Sequence, residues 1–360
     1  MIAVDYNGEV DTMTYGIMLN PRHGRVYMGM AGTMAANELA FAGRLLSQPP
    51  EDVRVEDIGG VPYILFSRAD PLEAKDVRVL SRLSFFYALF EVRDGSGLLA
   101  PIARDHGYFI DEDISAILKY TGKTNELFTR LMLNLALAHV QSTTPVPGTA
   151  PVCVLDPMAG KGTTLYEALM QDCDAYGVEI DPKPAYEAFV YIKKHFEMAR
   201  YKHISHTEKT GGVDSAGKKF SATRYQVEMA RSKDEQKAGL SRRFEMIAGD
   251  TRHVGSYFKK NSFHAIVADL PYGVQHGAKK KPQGGGQSRN ALGLVQESMP
   301  GWVRVLKPGG VVVLAWNLFL INWDEMAATF ADNGLKVTEG LDFTHRLDQA
   351  TNRDLMVGVL

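Results

Sequence analysis

Several features that would mark a special class of protein are scarce or missing in this sequence. Only 2 cysteines occur among 360 residues, and the positions of Cys153 and Cys173 in or beside predicted strands favour buried free thiols over a disulfide or a metal site. No apolar run reaches membrane-spanning length, and the first residues lack the basic-then-apolar layout of a signal peptide. We therefore expect a cytoplasmic protein that binds neither a membrane nor a metal ion.

An excess of charge of either sign is also missing. The formal net charge is −2, so a nucleic-acid-binding surface would have to be a local basic patch. The hydrophobic content of 45% and the charged content of 23% are ordinary for a globular chain. A length of 360 residues favours two domains over one.

The sequence signal around which the chain is organised lies in Val152–Thr164. An apolar run too short for a helix leads to Asp156, a glycine-rich turn follows, and a helical pattern opens at Thr163. This order predicts a strand, a tight loop and a helix start. Gly160 and Gly162 let the backbone approach a ligand closely, and the first N–H groups of the helix point towards it. We expect a small ligand here.

Two common ligands of such a turn are disfavoured. A phosphate-binding P-loop requires Gly where Leu155 stands and Ser or Thr where Gly162 stands. A dinucleotide fingerprint requires a third Gly or Ala where Leu165 stands. The turn therefore argues against ATP and against NAD.

A second signal, Asp269-Leu270-Pro271-Tyr272, follows the predicted fourth strand, Ser262–Ala268. An exocyclic amine of a base is a poor nucleophile because its lone pair is delocalised into the ring, so it needs acceptors that hold its hydrogens. The Asp carboxylate and the Leu carbonyl can be these acceptors, while the Pro makes the turn rigid and the Tyr offers a face for stacking. The target base has to be unpaired or flipped out of its stack to reach this turn.

Both signals resemble motifs of S-adenosylmethionine-dependent amino-methyltransferases. The first is similar to their Asp-Pro-x-x-Gly-x-Gly-Thr-Thr motif, and the second to their Asp/Asn-Pro-Pro-Tyr/Phe motif with Leu270 as a departure. Asp-Leu-Pro-Tyr/Phe-Gly occurs in tRNA guanosine N2-methyltransferases of the THUMP-associated type, whereas DNA adenine enzymes favour Asn-Pro-Pro-Tyr. The resemblance covers roughly residues 119–360. It implies a Rossmann-like class I α/β domain with a mostly parallel seven-stranded sheet and a C-terminal hairpin.

The resemblance also implies where S-adenosyl-L-methionine binds. In this family, the Asp and the glycines of the first motif face the amino-acid part of the cofactor. Glu179 ends the predicted second strand and is the candidate for the ribose hydroxyls, with Asp181, also a helix N-cap candidate, as the alternative. Asp250 follows the third strand and is the candidate acceptor for the adenine amine. The full candidate set for the cofactor is Asp156, Pro157, Ala159, Gly160, Gly162, Thr163, Glu179, Ile180, Asp181, Asp250 and Thr251.

Three regions are predicted along the chain: an α+β domain at residues 1–107, a helical bridge and linker at 108–150, and the methyltransferase domain at 151–360. The first domain carries no catalytic signal, so it is interpreted either as a packing or dimerisation module or as a substrate-docking module. Its predicted elements are a hairpin of Thr14–Leu19 and Arg25–Met30, a helix at Thr33–Leu46, strands at Val53–Val55 and Tyr63–Phe66, a helix at Leu72–Ser81 and a strand at Phe85–Val92.

Three segments each have two open interpretations. Lys119–Arg130, which leads into an amphipathic helix, is either structural or closes over the methionine moiety, as the resemblance implies. The insertion at 200–245 contains 11 Lys and Arg against 6 Asp and Glu; with a helix predicted near Tyr225–Ala238, it is either a solvated face or a nucleic-acid contact. The loop Gly273–Asn290 contains three consecutive lysines and either grips phosphates or is a solvated loop.

The remaining pattern alternates between strands and helices, as expected for a Rossmann-like domain. The predicted elements are strands at Ala175–Ile180 and Phe244–Ala248, a helix at Leu292–Leu306, a strand at Val311–Trp316, a helix at Asp324–Ala331, and strands at Leu335–Leu341 and Leu355–Leu360.

The sequence therefore predicts an enzyme that transfers a methyl group to an exocyclic base amine, with guanosine N2 in tRNA as the first candidate. The alternatives are a DNA adenine or cytosine amino-methyltransferase, a protein-glutamine methyltransferase, and an RNA-binding protein without activity. The intact Asp269 and Tyr272 argue against the last alternative. RNA, in particular tRNA, is the expected partner, and the oligomeric state stays open.

Overall fold

The computed structural model describes residues 12–21, 25–93, 98–116, 125–143, 150–213, 217–271 and 291–360. The strands are β1 (Met13–Leu19), β2 (Glu51–Ile58), β3 (Val61–Arg68), β4 (Phe86–Arg93), β5 (Leu98–Ile102), β6 (Cys153–Asp156), β7 (Asp174–Glu179), β8 (Lys202–Val213), β9 (Lys219–Ala230), β10 (Arg242–Ala248), β11 (Phe263–Asp269), β12 (Leu306–Asn317), β13 (Lys336–Val337), β14 (His345–Arg346) and β15 (Asn352–Val359). The α-helices are α1 (Arg25–Ala42), α2 (Ala74–Ser81), α3 (Asp113–Ala116), α4 (Glu126–Thr143), α5 (Thr163–Met170), α6 (Pro182–Met198), α7 (Lys233–Lys237), α8 (Val254–Tyr257), α9 (Ala291–Val305) and α10 (Trp323–Asp332).

Within those ranges, no helix combines the length and the apolar character needed to cross a bilayer. The chain divides into two compact units. One unit comprises Met1–Gly107 together with Gly340–Leu347, and the other comprises Tyr108–Glu339 together with Asp348–Leu360.

The first unit is built on an antiparallel sheet with the strand order β2-β3-β1-β4-β5. β1 is its central strand, because Ile17 lies opposite both Ile64 of β3 and Leu89 of β4. The core beneath the sheet contains Leu39 of α1 and Leu80 of α2, both fully buried. Burial of apolar side chains on one face of an antiparallel sheet is the ordinary source of stability for such a unit.

The predicted hairpin in this unit is wrong in its second strand. Residues Arg25–Met30 begin the 18-residue helix α1, and β1 pairs with β3 and β4 instead. Six alternating residues are compatible with either a strand or a helix, and the Ala- and Met-rich run that follows them favours the helix. The strand β5 was not predicted from the sequence.

The second unit contains a mixed sheet with the strand order β13-β15-β12-β11-β6-β7-β10-β9-β8. The five strands β10, β7, β6, β11 and β12 are parallel, and β15 is antiparallel to both β12 and β13. The order reverses at β6, from which the chain moves first to β7 and β10 and then to β11 and β12. This is a Rossmann-like doubly wound sheet with a closing antiparallel pair, as predicted. The described residues form ten strands in this sheet, however, and not the predicted seven. Ligands of such a sheet are expected at the carboxyl edge near the reversal.

The predicted helix in the basic insertion is largely wrong. Its first half, Tyr225–Ala230, belongs to β9, which pairs with β10 on one side and with β8 on the other; only α7 is helical. Buried and exposed side chains alternate here, as they do in a strand: Val227 and Met229 are buried, while Glu228 between them is exposed. The insertion therefore lengthens the sheet by a two-stranded ribbon.

The core of the second unit is formed by the parallel strands and by α4. Every residue of β11 before Asp269 and every residue of β12 from Gly310 onwards is buried, which is the pattern of strands covered on both faces. Helix α4 is buried over nearly its whole circumference and packs against β11, β12 and α5. The helix predicted downstream of Thr124 is thus confirmed, whereas the preceding Lys119–Thr124 lies outside the described residues.

Candidate active site

Three acidic residues meet at the carboxyl edge of the sheet. Leu155 in β6 lies opposite Ile266 of β11, and Asp156 lies opposite Gly177 of β7. Glu179 is two residues beyond Gly177, and Asp269 is two residues beyond the position level with Asp156. Since these strands are adjacent and parallel, the turns that follow β6 and β11 open onto the same edge.

The negative charges of Asp269 and Glu179 affect the pKa of Asp156. Burial raises its pKa to about 7, the negative charges of Asp269 and Glu179 act in the same direction, and hydrogen bonds from Thr164 and from the Met158 N–H oppose the rise. The Asp156 side chain is fully enclosed, with 4% of the residue exposed. Thr164, which ends the first motif but was not among the candidate cofactor residues, thus helps to hold this carboxylate.

The glycine-rich turn is tied to the neighbouring strand β7. The Ala159 N–H donates to the Val178 carbonyl at 2.9 Å, and the Gly160 N–H donates to Glu179 Oε2 at 3.0 Å. Gly160 has a φ of +53°, and a Cβ at this position would enter open space. The turn therefore leaves room directly beside the acidic cluster, as a turn that contacts a ligand through its backbone requires.

The two candidates for the ribose-binding acid, Glu179 and Asp181, have different surroundings. Glu179 accepts N–H groups of the Gly160 turn and of Asp181, the latter at 2.8 Å, and burial raises its pKa. Asp181 is exposed and caps α6 by accepting from the Lys183 N–H at 2.9 Å. The neighbouring Ile180 is 57% exposed, which is unusual for such an apolar side chain. The Glu179 side chain therefore lies at the carboxyl edge of the sheet, whereas Asp181 caps α6.

Asp250 and Thr251, the candidates that follow the third predicted strand, both form hydrogen bonds with nearby protein groups. Asp250 accepts from the backbone N–H of Arg252 and from its guanidinium, both at 3.0 Å. Burial acts to raise the pKa of Asp250, but Arg252 outweighs it and the pKa lies below its usual value. Thr251 is buried, and its Oγ1 accepts from the Trp302 indole at 3.0 Å. The Thr251 side chain thus anchors α9.

The second motif is held by the strand beside it and by β15. The Leu270 N–H donates to the Ala315 carbonyl at 2.8 Å, and the Leu270 side chain is buried. Asp269 Oδ2 lies 3.5 Å from Nη2 of Arg353 in β15. Pro271 is exposed. The predicted stacking residue Tyr272 and the lysine-containing loop up to residue 290 lie outside the described residues.

Sequence reasoning missed Arg353. The predicted closing strand, Leu355–Leu360, begins two residues after Arg353, and a single Arg at this position belongs to no motif that would link it to Asp269. Only the antiparallel pairing of β15 with β12, in which Arg353 lies opposite Asn317, brings it to the edge.

The described part of the upstream segment has structural contacts. Arg130 Nε donates to Glu167 Oε2 at 2.9 Å, and Glu167 is fully buried in α5. Gln171 donates to Asn134 at 2.8 Å in the same interface. For Arg130, at least, these contacts support the structural interpretation. Among the residues that the structure describes, no three His, Cys, Asp or Glu side chains are grouped so that they could hold a metal ion.

The strand order, the glycine-rich turn after the first parallel strand and the acidic residues at the strand ends define a class I methyltransferase domain, whose methyl donor is S-adenosylmethionine. The residues fit this cofactor, because Gly160 offers open space and the carboxylates of Asp156 and Glu179 offer acceptors for a cationic, hydroxyl-bearing ligand. Residues 127–284 match the family model described as UPF0020, RMKL-like methyltransferase domain. The matched stretch includes both sequence motifs, and the chain thus contains an S-adenosylmethionine-dependent methyltransferase domain.

Three solved structures are similar to this chain at low identity. TrmN from Thermus thermophilus is 15% identical, with a TM-score of 0.38 over 87% of this chain and 61% of that chain. TehB from Haemophilus influenzae is 9% identical, with a TM-score of 0.37 over 85% and 73%, and TYW2 from P. horikoshii is 11% identical, with a TM-score of 0.34 over 75% and 71%. This chain therefore spans less than two thirds of TrmN. No curated protein matches the chain significantly.

Proposed function

We propose that this protein methylates an exocyclic amine of a base in RNA, with N2 of a guanosine in tRNA as the specific substrate. The observation that carries the proposal is the meeting of Asp156 and Asp269 at the ends of adjacent parallel strands. One turn can hold the methyl donor while the other holds the amine. The proposal also assigns both motifs a role at a single edge.

The first turn and β7 would hold the donor. Asp156 would accept from the ammonium group of the methionine part. Glu179 would accept from the ribose hydroxyls, in addition to the hydrogen bonds that it accepts from the Gly160 and Asp181 N–H groups. S-adenosylmethionine supplies an electrophilic methyl group on a sulfonium. Buried carboxylates attract such a cationic ligand strongly, because little water screens them.

The second motif would prepare the amine. The Asp269 carboxylate and the Leu270 carbonyl accept its two hydrogens, so that the nitrogen lone pair is directed away from the ring and towards the methyl group. The N–C bond forms as the S–C bond breaks with its electron pair moving to sulfur, and the methylated nitrogen then loses a proton to solvent. Alignment of the two reactants supplies most of the acceleration in such a displacement.

Three features favour RNA over the competing substrates. Leu270 follows the pattern of tRNA enzymes more closely than that of DNA adenine enzymes, and Asp269 stands where glutamine-modifying enzymes favour Asn. The insertion forms the β8–β9 ribbon, which is smaller than a DNA target-recognition region. Exposed lysines of the insertion, among them Lys202, Lys209 and Lys219, suit the phosphate backbone of a nucleic acid in general.

The proposal is tested by transfer of labelled methyl from S-adenosylmethionine to bulk tRNA, DNA and protein. Each substrate is taken from a strain that lacks the gene, so that the target sites are unmodified. We expect label in tRNA, and nucleoside analysis of that tRNA should show N2-methylguanosine only after incubation with the enzyme. Label confined to DNA or to protein would refute the RNA assignment, and binding of tRNA without any transfer would support the non-catalytic alternative.

A further inference from the structure

Arg353, which pairs with Asp269, is a charged residue of the active-site edge that the proposed chemistry does not use. The side chains of Arg353 and Asp269 are 5% and 7% exposed, and the Nη2–Oδ2 distance is 3.5 Å. A buried ion pair of this kind is weak evidence for a gain in stability, because desolvation of both charges offsets their attraction. Because the pair includes the carboxylate that is proposed to accept from the amine, a role in positioning that carboxylate is the better explanation.

We propose that Arg353 is a positioning residue that fixes the Asp269 carboxylate for the incoming amine and compensates its negative charge. This inference rests on the proposed function, because it assigns Arg353 a role in the same transfer step. Arg353 acts through Asp269 and is not proposed to contact the substrate.

The surroundings of Arg353 hold its guanidinium in place. Its Cζ lies 4.3 Å from the centre of the Phe128 ring in α4, a cation–π contact with a buried aromatic side chain. The start of β15 is fixed by Asn317, which accepts from the Asn352 N–H at 3.1 Å and donates to the Ala350 carbonyl at 2.9 Å. The Arg353 side chain is therefore held by Phe128 and Asp269, and the backbone just before it is held by Asn317.

The charges at the edge explain why Asp269 needs a cation. Asp156 from β6 faces Asp269 with a like charge, and Glu179 from β7 adds a further carboxylate to the cluster. Arg353 from β15 supplies positive charge to the cluster. Without it, Asp269 would be a buried carboxylate beside two others, and protonation of Asp269 would remove an acceptor that the amine requires.

A second pair at the opposite edge offers a matched control. Arg242, at the start of β10, lies 2.9 Å from Asp172 Oδ1, and its Cζ lies 5.0 Å from the centre of the Phe109 ring. The chemistry resembles that of Arg353, but the pair is remote from the carboxyl ends of the strands. Loss of Arg242 should disturb the fold without reaching the active-site edge.

The test compares Arg353→Met, Arg353→Lys and Arg242→Met in the full chain. For Arg353→Met we expect kcat to fall by about 30-fold or more, because a buried charge loses its partner, while the Kd for S-adenosylmethionine changes by less than about threefold. The acid limb of the kcat–pH profile should move to higher pH. Arg353→Lys should restore the wild-type pH profile because it keeps the charge, and Arg242→Met should keep both kcat and the profile.

Two results would overturn the inference: a kcat loss in Arg353→Met no larger than that in Arg242→Met, or an unchanged pH profile. A readout that needs no substrate is the carbon-13 carboxyl titration of Asp269, assigned by its loss in Asp269→Asn. We expect its midpoint to rise in Arg353→Met, or in Arg353→Gln if the Met variant does not fold, and an unchanged midpoint would contradict the role. Failure of the proposed function would appear differently, as absence of methyl transfer by the wild type.

Discussion

The two edges of the methyltransferase sheet contain the same combination of side chains with different surroundings. At the carboxyl edge, Arg353 pairs with Asp269 and covers Phe128. At the amino edge, Arg242 pairs with Asp172 and covers a second phenylalanine. The Asp269 side chain is 7% exposed and has other carboxylates beside it, whereas that of Asp172 is 46% exposed.

This difference shows that the presence of an arginine–carboxylate pair does not by itself indicate a functional site. What matters is the end of the strands at which it lies, because parallel strands direct their carboxyl ends and the following turns towards the ligand. An edge that gathers buried acids is also costly to fold without a ligand or a compensating cation. Substitutions made in pairs, one at each edge, test this difference.

The largest effect is expected from Asp269→Ala. Loss of the acceptor for the amine should lower kcat by about 100-fold or more, as for other groups that act mainly in the transition state, while S-adenosylmethionine binding is kept. Single-turnover methyl transfer and calorimetric titration measure the two quantities. The partner variant is Asp172→Asn, because Asn tolerates the left-handed backbone of Asp172 at φ +68°; equal kcat losses in both variants would remove the distinction between the edges.

A smaller effect is expected from Glu179→Gln. Weaker hydrogen bonds to the cofactor and to the Gly160 N–H should raise the Kd for S-adenosylmethionine by about tenfold, or roughly 1.4 kcal/mol. Asp181→Asn should leave the Kd within about twofold, because Asn caps a helix as well as Asp does. Calorimetric titration compares the two, and the reverse ranking would assign the ribose to Asp181.

A third comparison uses two glycines that have positive φ angles and open space beyond Cα. Gly160→Ala and Gly239→Ala, at φ +53° and +75°, should each lower the melting temperature by a few degrees, which corresponds to about 1 kcal/mol of backbone strain. Only Gly160→Ala should also weaken cofactor binding, by about fivefold, because its new methyl group enters the space beside Asp156. Thermal unfolding with and without S-adenosylmethionine measures both effects. Equal binding by the two variants would show that the ligand does not approach the turn.

The smallest effect is a pH dependence that originates at Asp156. Its pKa is raised from an ordinary value of 3.8 to about 7, so the folded state binds the proton more tightly than the unfolded state does. The contribution of this group to the free energy of unfolding is therefore complete below about pH 4 and is lost as the pH rises through 7. A cationic ligand favours the ionised form, so the gain in melting temperature from S-adenosylmethionine should be larger at pH 8 than at pH 5.5.

The control for this dependence is Asp156→Asn, in which the gain should no longer increase with pH. An increase of the same size in that variant would place the titrating group elsewhere.

Short-range patterns predicted the strands and turns that hold most of the candidate site. Asp156, Glu179 and Asp269 each follow an apolar run that the structure confirms as a strand, and such runs are recognisable because both faces of the strand are covered. The same reasoning failed at Arg25–Met30 and at Tyr225–Ala230, where short alternating patterns fit a helix and a strand equally well. In both places, the neighbouring parts of the chain determined whether the segment forms a helix or a strand.

The class of domain and the residues of both motifs can be read from the sequence, because each motif is a run of neighbouring residues whose chemistry depends on local order. The same local patterns indicate that the motifs end strands. The folded chain was needed to show that the two turns share one edge, that Glu179 lies at this edge while Asp181 caps a helix, and that Arg353 reaches Asp269. Strand order and the antiparallel return of β15 bring together side chains that are far apart along the chain, and no local pattern encodes such a contact.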